Sequence, residues 1–253
     1  MQEKVEPSPN TSLHRTPAAA PPSPVSSEPF GGLGMAILVA TVGLIPVVAS
    51  GRCIPKGMVR IETANMTPRI PQGSFASKPR VLYRAGRLFA RIEEARDTEH
   101  GIHGLIVVHA PDSWLVNLDD RTGQHIVDPD PEPGVRTMVF QSEEMPSDFP
   151  TELSQLEFGC EVSFFSELKA EQTPHEAGGR KLTKHVATKG IWRLTMLTEP
   201  GDSRPQALLL SQHDKVVVAL KYISYRENQE IDLKLFEKPP GIAFQEAGRA
   251  PKP

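Results

Sequence analysis

The sequence predicts a mainly β domain of the α+β class, built on an antiparallel sheet. Between residues 79 and 127, and again between 182 and 225, short runs rich in β-branched and aromatic residues alternate with turn residues. The connections between these runs are too short to hold crossover helices, which favours antiparallel pairing. Only residues 150–168 show the apolar spacing of a helix.

The first half of the domain is predicted to form a meander. Gly86 separates its first two apolar runs, which form a hairpin or one bent strand, and the later runs are separated by turn residues. The predicted strands are Val81–Ala85, Arg87–Glu93, Gly104–Ala110, Ser113–Leu118 and Gln124–Val127.

The second half is predicted to begin with the helical stretch, which Gly159 weakens and can divide into two pieces. Glu171–Gly179 is polar and is interpreted as a loop. The last strand alternates cleanly, which places Tyr222 and Tyr225 on opposite faces. The predicted strands are Leu182–Ala187, Ile191–Thr198, Ala207–Ser211 and Lys215–Tyr225.

Composition divides the chain into five parts. Residues 1–29 are rich in Pro, Ser and Ala, and are predicted to be disordered because they bury little apolar surface. Residues 30–50 are apolar, and residues 51–78 are interpreted as a linker with room for one helix turn or one edge strand, with ordered structure beginning near residue 79. The β domain covers residues 79–241, and residues 242–253 form a flexible tail.

Residues 30–50 contain no charged side chain and match the roughly 20 residues that a helix needs to cross a bilayer. Two interpretations remain open. Met35–Leu44 is the core of a secretory signal that is cut off, or the segment stays as a single-pass anchor. The downstream bases Arg52, Lys56 and Arg60 favour a cytoplasmic domain by the positive-inside rule, whereas the resemblance described below favours export.

Charge and cysteine content limit the possible partners and the possible disulfides. The net charge of −3 and the pI near 6.3 leave no basic footprint, so a nucleic-acid partner is not expected. The two cysteines, Cys53 and Cys160, allow at most one disulfide, and the sequence favours two unpaired thiols, one in the linker and one buried.

No pattern in the sequence predicts a metal site, a cofactor or a catalytic residue. His103 and His109 share a strand face but lie too far apart for one ion, and Glu99 and His100 are interpreted as loop residues. The acidic stretch 128–132 is stiffened by prolines and lacks a calcium loop. No nucleophile motif is present, so we expect a protein that is not an enzyme.

Three phrases resemble the superfamily of outer-membrane lipoprotein-sorting proteins, the LolA/LolB-like fold. They are the early hairpin YRAGRLFARIE, the strand–turn–strand unit DSWLVNLDDRTGQHIVDP, and the closing YISYRENQEIDLKLFEKPPG with Asp232, Phe236 and Pro239. The resemblance covers residues 79–241. It implies a curved antiparallel sheet that forms an unclosed barrel, with its concave apolar face covered by one or two helices.

The characterised members of that superfamily carry lipoprotein acyl chains through the periplasm. The resemblance therefore implies a periplasmic or membrane-anchored protein that binds a lipid or acyl chain. The arginine that controls lid opening in the carriers has no identifiable counterpart here. The residues expected to line the ligand site are Phe89, Trp114, Phe164, Phe165, Trp192, Met196 and Tyr222.

Two other functions remain open at this point. If the interior is fully packed, the domain is an anchored, non-catalytic module that binds proteins of the cell envelope through its surface or a sheet edge, with a partner that the sequence does not identify. The third is an envelope hydrolase that uses His and Asp residues.

Overall fold

The computed structural model describes residues 53–71, 73–130, 132–140 and 145–246. Within these residues the protein is mainly β, with twelve strands and two α-helices. None of the described helices has the length and apolarity to cross a bilayer. The predicted disordered tail 1–29 and the apolar segment 30–50 lie outside the described residues.

The strands follow the chain as two meanders, and the helices lie between them. The strands are β1 Met58–Asn65, β2 Arg80–Ala85, β3 Phe89–Glu94, β4 Gly104–His109, β5 Asp112–Asn117, β6 Thr122–Val127, β7 Glu171–Ala177, β8 Arg180–Lys189, β9 Trp192–Thr198, β10 Pro205–Gln212, β11 Lys215–Gln229 and β12 Ala243–Glu246. The helices are α1 Thr151–Ser154 and α2 Glu161–Glu167.

All twelve strands belong to one sheet, in the order β12-β6-β5-β4-β3-β2-β1-β11-β10-β9-β8-β7. Every pair is antiparallel except β12 and β6, which are parallel. The two meanders meet where β1 pairs with β11. The edge strands β12 and β7 are not paired with each other, so the sheet is unclosed.

The predicted hairpins and the divided helix are confirmed. β2 and β3 turn at Gly86, whose φ is +56°. The helical stretch is broken at Gly159, whose φ of +82° suits glycine and ends the regular structure between α1 and α2.

Three segments predicted to be a linker, a loop and a tail contain strands. The linker assigned to residues 51–78 contains β1, a central strand, so ordered structure begins well before residue 79. The loop Glu171–Gly179 contains β7, which lacks an apolar face because it is an edge strand exposed along most of its length. The tail assigned to residues 242–253 contains β12, and residues 247–253 lie outside the described part.

The core lies mainly on one face of the sheet. We call this the helix-covered face, and it carries Ile61 of β1, Leu82 of β2, Leu194 of β9 and Leu208 of β10. The opposite face is partly covered by the 3-10 helix Leu233–Phe236, whose Phe236 is fully buried. The two faces therefore have separate cores, and only the first lies under α1 and α2.

Candidate functional site

The helix-covered face is closed by residues 145–170, which we call the cover. Leu153, Leu156 and Phe165 of the cover are buried against the sheet in the main core cluster. Helices of four and seven residues are too short to be stable alone. The cover therefore owes its structure to its contacts with the sheet.

A disulfide ties the middle of the cover to the chain that leads into β1. Cys53 and Cys160 are bonded, with their Cα atoms 5.8 Å apart and a separation of 107 positions in sequence. The expectation of two unpaired thiols is therefore wrong. Spacing did not reveal the pair because the fold, not the local sequence, brings the two residues together.

A buried ion pair ties the same part of the cover to β2. Arg84 Nη2 lies 2.7 Å from Glu157 Oε2, and both side chains are almost completely buried. Arg136 also approaches this carboxylate, at 3.4 Å. Burial lowers the pKa of Arg84, and the attraction of Glu157 opposes that effect. Arg84 Nη1 also donates to the carbonyl of Phe158 at 2.9 Å, so the one arginine contacts two residues of the cover.

A third attachment joins the start of α2 to β11. The carboxylate of Glu161 has no solvent exposure and accepts hydrogen bonds from Tyr222 Oη at 2.9 Å and Tyr225 Oη at 3.0 Å. The backbone N–H of Gly159 donates to it at 2.9 Å. Burial raises the pKa of Glu161 to about 7 despite these donors. Burial raises the pKa values of Tyr222 and Tyr225 as well, so the tyrosines act as hydrogen-bond donors.

These three attachments fall within residues 157–161, which we call the clamp. Five consecutive residues thus carry a disulfide, a buried ion pair and a buried carboxyl. The clamp was missed at the sequence level because its partners on β2 and β11 are distant in sequence. One signal was available: Glu161 lies one helical turn from Phe165, so it is a carboxyl on the apolar side of the predicted helix.

The other end of the cover packs near the start of β9. The rings of Phe149 and Trp192 meet edge to face at 5.1 Å, and Phe149 meets Phe140 at 5.6 Å. Trp192 is 2% exposed, and its indole N–H has no acceptor among the described residues. This end is joined to the β8–β9 hairpin by an ion pair between Lys189 and Glu152, with 3.6 Å between Nζ and Oε1.

The structure brings together five of the seven residues predicted to line a ligand site. Four are buried in the main core cluster on the helix-covered face, and Phe164 packs against that cluster. The four are Phe165, Trp192, Met196 and Tyr222.

The other two predicted residues lie on the opposite face. Phe89 packs against Phe236, with 5.3 Å between ring centroids, and Trp114 stacks on His125 at 5.7 Å. The alternation of the strands explains this, because the neighbours Ala90 and Leu115 face the covered side.

Asp97, Glu99 and His100 are the one described group of three metal-ligand side chains whose donor atoms lie within 4.8 Å of one another. Asp97 uses its carboxylate locally: it accepts from the backbone N–H of Glu99 at 3.1 Å and contacts His100 Nδ1 at 3.0 Å. These contacts stabilise the turn between β3 and β4.

No family model and no curated protein matches this chain. Among solved structures, an uncharacterised conserved protein from Thermus thermophilus is 10% identical, with 76% of this chain and 91% of that chain covered and a TM-score of 0.40. PNGF-II is 8% identical, with a TM-score of 0.30. The match covers 75% of this chain and 31% of PNGF-II, so the chain spans about a third of that protein's length.

Proposed function

We propose that this protein is an exported or membrane-tethered protein of the bacterial cell envelope that binds a hydrophobic ligand, either a lipid or a lipoprotein acyl chain. The ligand lies between the helix-covered face and the cover. The protein is not an enzyme in this proposal, and its fold is of the LolA/LolB-like type.

The single observation that carries this proposal is the way the helix-covered face is closed. Its apolar side chains come from both meanders, and within the described residues they are shielded by the cover, with its two short helices, and by Val139 and Phe140. Displacing part of the cover exposes a continuous apolar surface, which is the property that an acyl-binding site requires.

The disulfide supports the localisation in this proposal. Disulfides form and persist in oxidising compartments such as the periplasm and are rare in the cytosol. The bond between Cys53 and Cys160 therefore favours export of the domain over a cytoplasmic location. It outweighs the three downstream bases, which favour the opposite orientation.

The two tryptophans allow a direct test, because they lie on opposite faces. The full chain is expressed in a bacterial host and is reconstituted into lipid nanodiscs if it remains membrane-bound. Trp114→Phe leaves only the Trp192 reporter, and Trp192→Phe leaves only Trp114. Each variant is titrated with a fatty acyl ester that carries bromine on its chain, since bromine quenches an indole that it contacts.

The expected result is saturable quenching of the Trp192 fluorescence in the Trp114→Phe variant and little change in the Trp192→Phe variant. Equal quenching in both variants indicates nonspecific partitioning. That outcome, or the absence of quenching in the Trp114→Phe variant, would overturn the proposal.

The second candidate function is an anchored protein-interaction module. The observation that favours it is the pair of open sheet edges, β7 and β12, within the described residues. A partner strand can extend such an edge. In β7, however, Pro174 removes one backbone donor, which weakens this edge as a docking strand.

A further inference from the structure

The two ends of the cover are held with very different strength. The clamp has a disulfide, a buried ion pair and a buried carboxyl. The segment around α1 is joined by apolar packing, by the exposed ion pair of Lys189 with Glu152, and by hydrogen bonds of Gln155 and Leu156 to residues 136 and 139. Exposed ion pairs contribute little to stability, because water and salt screen them. Among the described residues, the α1 end has no covalent attachment and no buried ion pair to resist its opening.

An unsatisfied polar group lies beside this weaker end. Buried donors in folded proteins nearly always have an acceptor, and an unpaired one carries a free-energy cost. The indole N–H of Trp192 is buried and has no acceptor among the described residues. An acceptor from a bound molecule would satisfy it.

The surroundings of Trp192 indicate what kind of molecule fits. Its ring meets Phe149, and Phe149 meets Phe140, so the neighbouring surface is aromatic. Ile191, next to Trp192 at the β8–β9 turn, is apolar and 39% exposed. One neutral donor in an apolar wall suits the carbonyl oxygen of an acyl ester or amide next to its hydrocarbon chain.

We propose that the ligand enters beneath α1 while the clamp stays closed, and that the carbonyl oxygen of an acyl ester or amide accepts a hydrogen bond from Trp192 Nε1. This inference rests on the proposed function and names the opening of the site and the group that it recognises. It makes Trp192 a ligand-contacting residue.

A cross-link tests the opening. Glu152→Cys with Lys189→Cys is joined by a bismaleimide, which fixes α1 to the β8–β9 hairpin. The native cysteines do not react, because they are bonded to each other. The matched control is Arg193→Cys with Asp214→Cys, another exposed ion pair, which links β9 to the β10–β11 turn, and both of its residues lie outside the cover.

The Trp114 residue is replaced by Phe in both cross-linking variants, so that Trp192 reports binding of the brominated acyl ester. The cross-link at 152 and 189 is expected to slow quenching at least 10-fold, and the control cross-link is expected to leave its rate unchanged. An unchanged rate in the first variant overturns the opening beneath α1. If neither variant binds the ester before cross-linking, the proposed function fails.

Hydrogen exchange measured without any ligand shows which end of the cover opens. In the free full chain, backbone amides of residues 145–156 are expected to exchange faster than those of residues 157–168, and the cross-link is expected to slow the first group. Equal exchange, or faster exchange in 157–168, overturns the inference even if the protein binds acyl esters.

Recognition of the carbonyl is tested with Trp192→Phe, which keeps an aromatic ring and removes the N–H. Calorimetric affinity for a long-chain acyl ester is expected to fall about 3- to 10-fold, the effect of one lost hydrogen bond, while affinity for an alkane of the same length stays unchanged. An equal loss for both molecules assigns Trp192 to packing and overturns the hydrogen bond.

Discussion

Tyr222 and Tyr225 lie three residues apart on β11, yet both donate a hydrogen bond to the Glu161 carboxylate. In a regular strand, residues an odd number apart point to opposite faces. The register with β1 explains the exception, because Glu62 pairs with Ser224 and Thr63 pairs with Tyr222. Ile223 is left without a partner on β1, in a bulge that returns Tyr225 to the helix-covered face.

Deleting Ile223 is therefore expected to be tolerated. The shortened strand becomes regular, and both tyrosines still face Glu161. We expect the free energy of unfolding in urea to fall by no more than about 1–2 kcal/mol, which is the size of an ordinary single substitution.

The matched control is deletion of Ala219, which lies in the regular part of the pairing with β10. That deletion turns the following side chains to the wrong face, and we expect it to cost more than about 3 kcal/mol, as severe changes to a core do. If the two deletions are equally destabilising, the bulge does not have the role assigned to it.

The sequence predicted the meanders because their signals are local. β2 through β6, and β8 through β11, alternate and are bounded by turn residues. The edge strand β7 was missed because it has no buried face to produce an alternation. β1 was missed because prolines flank it and its partner β11 lies far along the chain.

The candidate site was predicted in part, for a related reason. The sequence alone shows which residues have large apolar side chains. The face of the sheet on which each one lies depends on strand register, so Phe89 and Trp114 were grouped with residues of the opposite face. The clamp depends on contacts between positions more than 60 residues apart, such as Glu161 with Tyr222. Local patterns carry no information about such contacts.

The disulfide is expected to stabilise the whole domain. Replacing Cys53 and Cys160 by Ala removes a cross-link that closes a loop of 107 residues. The free energy of unfolding in guanidinium chloride is expected to fall by about 2–5 kcal/mol. Treating the wild type with reductant should reproduce the loss. An unreduced, denatured wild type that takes up two equivalents of iodoacetamide would show that the bond is absent.

The ion pair of Arg84 with Glu157 is expected to show strong coupling in a double-mutant cycle. Arg84→Met and Glu157→Met each leave a buried charge, at about 3–5 kcal/mol. We expect Glu157→Met to lower the free energy of unfolding more than Arg84→Met does. Arg136 also faces this carboxylate, so the Glu157 substitution leaves two arginines without it. The double variant should be more stable than the sum of the single losses predicts, by about 1–3 kcal/mol.

The control for that cycle is the exposed pair of Arg180 with Glu199, whose N–O distance is 2.6 Å. Substitution of both by Met should give a coupling of about 0–1 kcal/mol, because solvent screens the pair. A coupling for Arg84 and Glu157 no larger than that of the exposed pair contradicts a buried attachment of the cover.

Glu161 is expected to make stability depend on pH around neutrality. Burial raises its pKa from 4.5 to about 7, so the folded state binds the proton more tightly than the unfolded state. The stabilisation from protonation is fully present below pH 4.5 and is lost as the pH rises through 7. At about 1.4 kcal/mol per pKa unit, the loss is about 3 kcal/mol.

The measurement is the free energy of unfolding of wild type and Glu161→Gln at intervals from about pH 5 to about pH 8, which brackets the folded-state pKa. Their difference isolates Glu161, because the other titratable groups, such as His185 with its burial-lowered pKa, are present in both proteins. The wild type should lose stability relative to Glu161→Gln as the pH rises. Glu152→Gln, at an exposed carboxyl of the same cover, is the matched control for removing one carboxyl. A constant difference between wild type and Glu161→Gln would mean that the carboxyl is not held in the closed, dry site at the start of α2.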